Sequence, residues 1–493
     1  MSTPSSESVS IDGCRTIRCT TEASWKDLKS PIRLGPLDQL VDATIPVAVV
    51  FAYSQTQSKP KEELIPLDRL EKCMSALLDH YPHLSGRLQI NEIDGTPEIA
   101  RIGTGVHLFA ATCSERLDAF QTTSGHGRIM SLPGAGNALL APFDPTLEGV
   151  CHDPVFAIQH TRFACGSVAL GVRTLHKVCD ADGFFQLVRD LAELYRSGSS
   201  SLSNPPHYRS YLSELTVDNV TAEEKEAVLA YQPPLFYVES SSSTSMWAPT
   251  DPSPIPQPPT IGRFVRLSSK ELSAIKAAAT NPDRPDSWVS TFEALSAHIY
   301  HHIHRARLRL REIEPKHGEL SPTDFLTPLN VRTRLGLPPK YFPNALMISY
   351  GNIPSDVLES GPLWKVAEFL HDLTRNPSGL ASQEDIVRAL KWIALQPEKR
   401  RIRQGFRYGT GSFMISQWNK FDMYEGTVFD VAPTLVSPPF TPISLIDGLL
   451  YFLPTEDRSA NADLGAIDVV LPLSEPVWDV LDSDSEFRRF RDA

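Results

Sequence analysis

At 493 residues the chain exceeds a single ordinary core, and its 41% hydrophobic content is that of a globular protein, not a disordered one. A net charge of -12 and a pI near 5.6 argue against nucleic acid or an anionic membrane as the main partner. Seven dispersed cysteines with no C-x-x-C pair suggest free thiols in a reducing compartment. The first residues lack the basic and apolar regions of a signal peptide, and no apolar run reaches the roughly 20 residues of a membrane span. These features set the expectation of a soluble, cytoplasmic monomer.

In chain order, residues 1 to 30 read as a loose leader with a short strand from Cys14 to Cys19. Ile45 to Tyr53 is a β-branched apolar strand, and Pro66 to Tyr81 has helical apolar spacing that stops before Pro82. Gly86 to Ile90 reads as a strand, and Asn91 to Ala111 as short strands and turns. Pro154 to Phe163 and Ser167 to Leu175 form a hairpin about Cys165-Gly166, and its second strand delivers His176. A polar turn with Asp180, Asp182 and Gly183 follows. Phe184, Leu187, Val188, Leu191, Leu194 and Tyr195 then fall on one helical face.

The serine- and proline-rich stretch 240–260 reads as a crossover linker between residues 1–239 and 261–493. Beyond it, Gly262 to Leu267 is a strand, and Ser268 or Ser269 caps a helix containing Lys276. Ser290 to Leu310 is a long helix bearing His298, His301, His302 and His304. No nearby carboxylate or cysteine completes a metal set, and Arg305 and Arg307 add repulsive charge, so this cluster reads as a solvated face. Phe325 to Val331 is a strand running into Arg332 and Arg334, with helices near 363–373 and 384–395 after it. Strands at 413–418, 449–453 and 467–473 and one helix over 476–490 complete an α+β chain of two mixed-sheet domains. It lacks a Walker A, a G-x-G-x-x-G after a strand and a G-x-S-x-G elbow.

His176 is the candidate general base, because neutral imidazole accepts and returns a proton near pH 7. Cys179 is an alternative nucleophile, although the acidic pair beside it disfavours a thiolate. The helix start at Ser268-Ser269-Lys270, with Lys276, is the candidate phosphate site, since N-terminal amides favour anions.

Five blocks now fall in register: Leu77 with Tyr81-Pro82 and Ser85-Gly86-Arg87-Leu88; His176 to Asp180; Asn330 to Leu335 with Pro338-Pro339 and Asn344; Ser416-Gln417-Trp418; and Asp447-Gly448 to Pro454. Together, over most of the chain, they resemble the BAHD acyl-CoA-dependent acyltransferases of plants and fungi. The resemblance implies a chloramphenicol-acetyltransferase-like architecture with the active-site channel between the domains. It implies direct attack by an alcohol or amine acceptor on acyl-CoA, expected to be acetyl-CoA, with no resident cofactor or metal and no acyl-enzyme. Asp180 is then expected to point away from substrate and pair with Arg332, or failing that Arg334, with Asp182 as an alternative acid. Trp418 is the candidate oxyanion donor, and Ser416 joins Ser269 and Lys276 as candidate CoA contacts. The expected reaction is O-acetylation of a secondary metabolite. N-acylation, condensation-type transfer and a degenerate ligand-binding role are the alternatives. One block departs from the family: residues 427–431, Thr427-Val428-Phe429-Asp430-Val431, stand where it carries Asp-Phe-Gly-Trp-Gly, a motif the resemblance marks as structural.

Overall fold

The computed structural model describes residues 8–55, 63–124, 127–130, 132–240, 258–313, 320–456 and 465–491. In the first half, β1 (Val9–Ile17), β2 (Pro46–Tyr53), β3 (Val106–Cys113), β4 (Phe156–Phe163) and β5 (Val168–Leu175) lie in one mixed sheet in the order β1-β3-β4-β5-β2. The hairpin β4–β5 pairs Thr174 with Phe156 and Val168 with Arg162. All eight residues of β5 are buried, which is why its sequence is apolar without alternation. Helices α1 (Leu67–His80) and α2 (Ala181–Ser197) pack together, and α2 turns Phe184, Leu187, Val188, Leu191 and Leu194 into the core. Gly198 ends α2 in the left-handed conformation, its N–H returning to the Leu194 carbonyl.

In the second half, β6 (Thr260–Leu267), β7 (Asp324–Asn330), β8 (Leu346–Asn352), β9 (Phe413–Gln417), β10 (Leu435–Ser437), β11 (Leu449–Pro454) and β12 (Ile467–Ser474) appear in chain order. Six of them form the second sheet, ordered β6-β12-β11-β9-β7-β8, while β10 leaves it and pairs with β2 of the first sheet. Trp418, Met423, Tyr424, Phe429 and Val436 accordingly belong to the first core. The second half thus crosses the 1–239/261–493 division at β10 and again where Ile402–Gln404 pairs with Phe236–Val238. Most of the linker itself lies outside the described residues.

Around the second sheet stand α3 (Ser269–Ala278), α4 (Thr291–Ile313), α5 (Leu363–Arg375), α6 (Gln383–Leu395), α7 (Glu475–Ser483) and α8 (Ser485–Arg488). Helix α4 is central, with α3, α5, α7 and α8 packed around it. The solvated face expected for its histidines is therefore wrong. His298, His301, His302 and His304 are all buried, His302 Nδ1 against Asp484 at 3.0 Å and His298 Nε2 against the Phe487 carbonyl at 3.3 Å. Among the described residues no group of three or more His, Cys, Asp or Glu side chains is arranged to hold a metal. All seven cysteines are free thiols. No helix of the described residues is long and apolar enough to cross a membrane.

The candidate acyl-transfer site

His176 stands one residue beyond β5, its N–H bonded to the Ile45 carbonyl at 3.1 Å. The turn after it closes on α2, where Asp180 is the N-cap and accepts from Gly183 N at 3.1 Å. Only glycine fits at 183, since a Cβ there would lie 2.0 Å from the Phe342 carbonyl oxygen. That close approach brings the 341–345 segment, just ahead of β8, against the turn.

Asn344 meets the imidazole from this segment. Its Nδ2 donates to the His176 carbonyl at 2.8 Å and to Asp38 Oδ1 at 2.9 Å, which leaves Oδ1 to face His176 Nδ1 at 3.1 Å. An amide oxygen only accepts, so Nδ1 carries the hydrogen and Nε2 the lone pair. Nε2 makes no hydrogen bond among the described residues, nor is it sealed in the core. Burial holds the imidazole below its ordinary pKa, partly offset by Asp180 and Asn344, so the neutral base dominates at pH 7. Asp38 itself is buried, accepts from Gly35 N at 3.0 Å and Asn344 N at 3.1 Å, and is pushed up to about 6 by desolvation.

Asp180 is fully buried and its oxygens are saturated. Arg332 grips both at 2.9 and 2.8 Å, Gly183 N adds to one and Ala345 N, at 2.9 Å, to the other. None of these bonds goes to His176. Arg332 also donates to the carbonyls of Tyr341 and Pro343. Asp182 is peripheral, 3.6 Å from Arg332 and 3.3 Å from Asn330 Nδ2. Arg334 is not a partner of Asp180; it donates to the Leu380 carbonyl at 3.1 Å and lines a cavity on the other side. Asp180→Asn is therefore expected to strip a buried guanidinium of its counter-charge and cost about 3–5 kcal/mol of stability as well as activity. Denaturant unfolding checks this; unchanged stability with lost turnover would make Asp180 a chemical participant instead.

The cavity, about 820 Å³, runs from the end of β7 past the ends of β9 and β11 to the start of α4. Lys276, Arg334, Arg375 and Lys420 line it. Its buried acid, Glu293, is occupied by His371 at 3.0 Å, Arg375 at 3.3 Å, Thr374 at 3.0 Å and Ser290 N at 2.7 Å. The remaining field is positive, suited to a phosphorylated ligand. Lys276 lies here, but from the last turn of α3 and not from its start. The start of α3 is not a phosphate site: Ser268 and Glu271 close a capping box there, which puts a carboxylate on the N-terminal amides. Ser269 does not line the cavity, and neither does Ser416; Gln417, on the opposite side of the strand, does.

Trp418 is 7% exposed and packs edge-on against Phe185 at 5.5 Å and Tyr451 at 4.8 Å. Its indole N–H makes no hydrogen bond among the described residues and is still available as a donor. Cys179 is fully buried beside Thr174, and desolvation raises its thiol far above the ordinary value, so it supplies no thiolate. Asp430 of the divergent block accepts from Tyr195 Oη at 2.8 Å, Ile65 N at 2.7 Å and Arg69 at 3.3 Å. Tyr195 is near the far end of α2, about 20 Å along the helix from Asp180 at 1.5 Å per residue. The block fastens a loop to the first core, remote from His176. Sequence reasoning missed Asp38, Arg375 and Lys420, which no motif marks; Asn344 stood in a matching block without a role.

A rosmarinate synthase of Plectranthus scutellarioides is 25% identical over 439 residues, 87% of this chain and 90% of that protein. The structure of F. graminearum TRI101 complexed with coenzyme A and deoxynivalenol matches with a TM-score of 0.68 at 19% identity, over 94% of this chain and 99% of that one. Vinorine synthase matches with a TM-score of 0.66 at 15% identity, over 98% of both chains. A model of the Transferase family covers residues 20–475, and the chain belongs to that family, the BAHD acyl-CoA-dependent acyltransferases.

Proposed function

We propose that this chain transfers an acetyl group from acetyl-CoA to a hydroxyl of a small secondary metabolite, with His176 as general base and no acyl-enzyme, working as a cytoplasmic monomer. The observation that carries the reading is the fixed imidazole: Nδ1 tied to Asn344, Nε2 unengaged and the ring held neutral. In this scheme Nε2 takes the hydroxyl proton as the acceptor oxygen bonds to the acyl carbon. The Trp418 indole N–H is the proposed donor to the resulting oxyanion. Collapse breaks the carbon–sulfur bond, and the imidazolium returns its proton to the departing sulfur. Asp180 and Arg332 take no proton; they hold the turn. The basic cavity, with Lys276, Arg334 and Lys420, is the proposed seat of the CoA phosphates. The complex of TRI101 with coenzyme A and deoxynivalenol supports a CoA donor and a small-molecule acceptor.

Incubation with acetyl-CoA and metabolite extracts, read by thiol release and product mass, tests the activity and the acceptor. Initial rates are expected to give intersecting double-reciprocal lines, and Cys179→Ser to keep most activity. Parallel lines, or an acyl adduct on Cys179 formed from acyl-CoA alone, would replace general-base attack by covalent catalysis.

A further inference from the structure

Strand β5 carries one charged group for which acyl transfer has no use. Arg173, three residues before His176, is 2% exposed. Among the described residues its Nε and Nη1 have no hydrogen-bond partner, and Nη2 has only a 3.5 Å contact to the Pro142 carbonyl. The Phe143 ring lies over the guanidinium at 4.5 Å. Asp153 favours the charge only through its field, and that carboxylate is itself at 3.2 Å from His152 Nδ1. A desolvated cation without a bonded counter-charge is among the most costly arrangements a protein core can hold.

The surroundings add to the imbalance. Cross-strand, Arg173 is flanked by Ala48 on β2 and Ala157 on β4, so no large side chain crowds it within the sheet. His107 of β3 follows beyond Ala157 in the same row. The Arg87 guanidinium, also buried, is bonded among the described residues only to the backbone carbonyls of His152, Gly86 and Gly105. The locus therefore holds two buried guanidiniums against one off-centre carboxylate, and desolvation together with those two cations keeps the His107 imidazole below its ordinary pKa and neutral. Burial brings Arg173 down to about 10, which still leaves it charged at neutral pH.

We propose that Arg173 anchors an internal anion site that takes a compact monovalent anion, a carboxylate or a halide. The anion supplies the acceptors that the guanidinium lacks, under the segment 139–143 and about 10 Å along the strand from His176 at 3.3 Å per residue.

The test is thermal unfolding of the full chain, for wild type and Arg173→Met, in a bulky zwitterionic buffer titrated with sodium acetate or sodium chloride, sodium sulfate serving as the ionic-strength control. The wild-type Tm is expected to rise by a few degrees and saturate with acetate or chloride, as ligand linkage requires. Arg173→Met is expected to show no response beyond the sulfate control, with a low-anion Tm at or above that of wild type. A wild-type Tm that follows only ionic strength, or a Met variant as responsive as wild type, overturns the proposal. If the Met variant does not fold, Arg173→Lys decides: the half-point must move to at least several-fold higher acetate, and an unmoved half-point overturns it. The source of the anion is read from kinetics. Acetate that leaves the acceptor KM unchanged assigns the site to a free ion, whereas acetate competing with the acceptor assigns it to a carboxylate that the acceptor carries.

Discussion

His176→Ala is expected to lower acyl-transfer turnover by about 10²–10⁴-fold while the protein keeps its fold, the range that a positioned base contributes. The fold should survive because the imidazole makes a single side-chain bond, to Asn344, whereas the turn is held by Asp180, Arg332 and the Gly183 contact. Thiol release from acetyl-CoA measures the first quantity, and circular dichroism with a melting curve the second. Near wild-type turnover in a folded variant would remove His176 from the chemistry. Protonation of the His176 imidazole produces the acidic limb of the kcat/KM pH profile, so the residual activity of His176→Ala should also lose that limb.

Acid is expected to destabilise the second half steeply. Burial lowers His298 and His301 to about 3 and His304 to about 4, with the nearby cations Arg305, Arg307, Arg311 and Arg489 pressing in the same direction. His302 is lowered too, with Asp484 opposing the shift. In the unfolded chain a histidine titrates near 6.5. Above that value both states are neutral and nothing is lost. Between 6.5 and the folded values only the unfolded chain takes up protons, so stability falls with pH by about 1.4 kcal/mol per unit for each such histidine. Three of them give about 4 kcal/mol per unit. Melting temperatures from pH 7.5 to pH 5 should show the slope, and His301→Leu with His304→Leu should flatten it. A flat wild-type profile would mean that the rings are protonated in place.

The same helix shows where the sequence stops being informative. Strands buried on both sides announce themselves as β-branched runs, and β2, β5 and β12 sit within a residue of their expected bounds. Strand β1 is longer than Cys14 to Cys19 suggested, because seven of its nine residues are exposed and carry no apolar signal. From Glu293 to His304 helix α4 is buried all round by its neighbours, so polar histidines occupy positions that periodicity assigns to solvent. The single helix expected over 476–490 breaks at Asp484, which caps α8 and bonds His302. At the site, local pattern delivered His176 and Asp180, and the matching block delivered Arg332. Asp38 meets Asn344 across 306 positions, a separation that no local pattern reports. The capping box at Ser268, by contrast, is legible in the sequence: Glu271 three residues on places a carboxylate on the amides that a phosphate would need.

The pairing of β10 with β2 bears on how the molecule comes off the ribosome. The hydrogen-bonding edge of Pro46–Tyr53 has its partner, Leu435–Ser437, only after nearly nine-tenths of the chain has been translated. Until then the nascent first half exposes an apolar sheet edge, with a core that still lacks Trp418, Phe429 and Val436. Such an edge invites pairing with the wrong strand. The first half is thus not a unit that can finish folding before most of the second half has been made. A chain cut at the linker leaves each piece short of what the other carries.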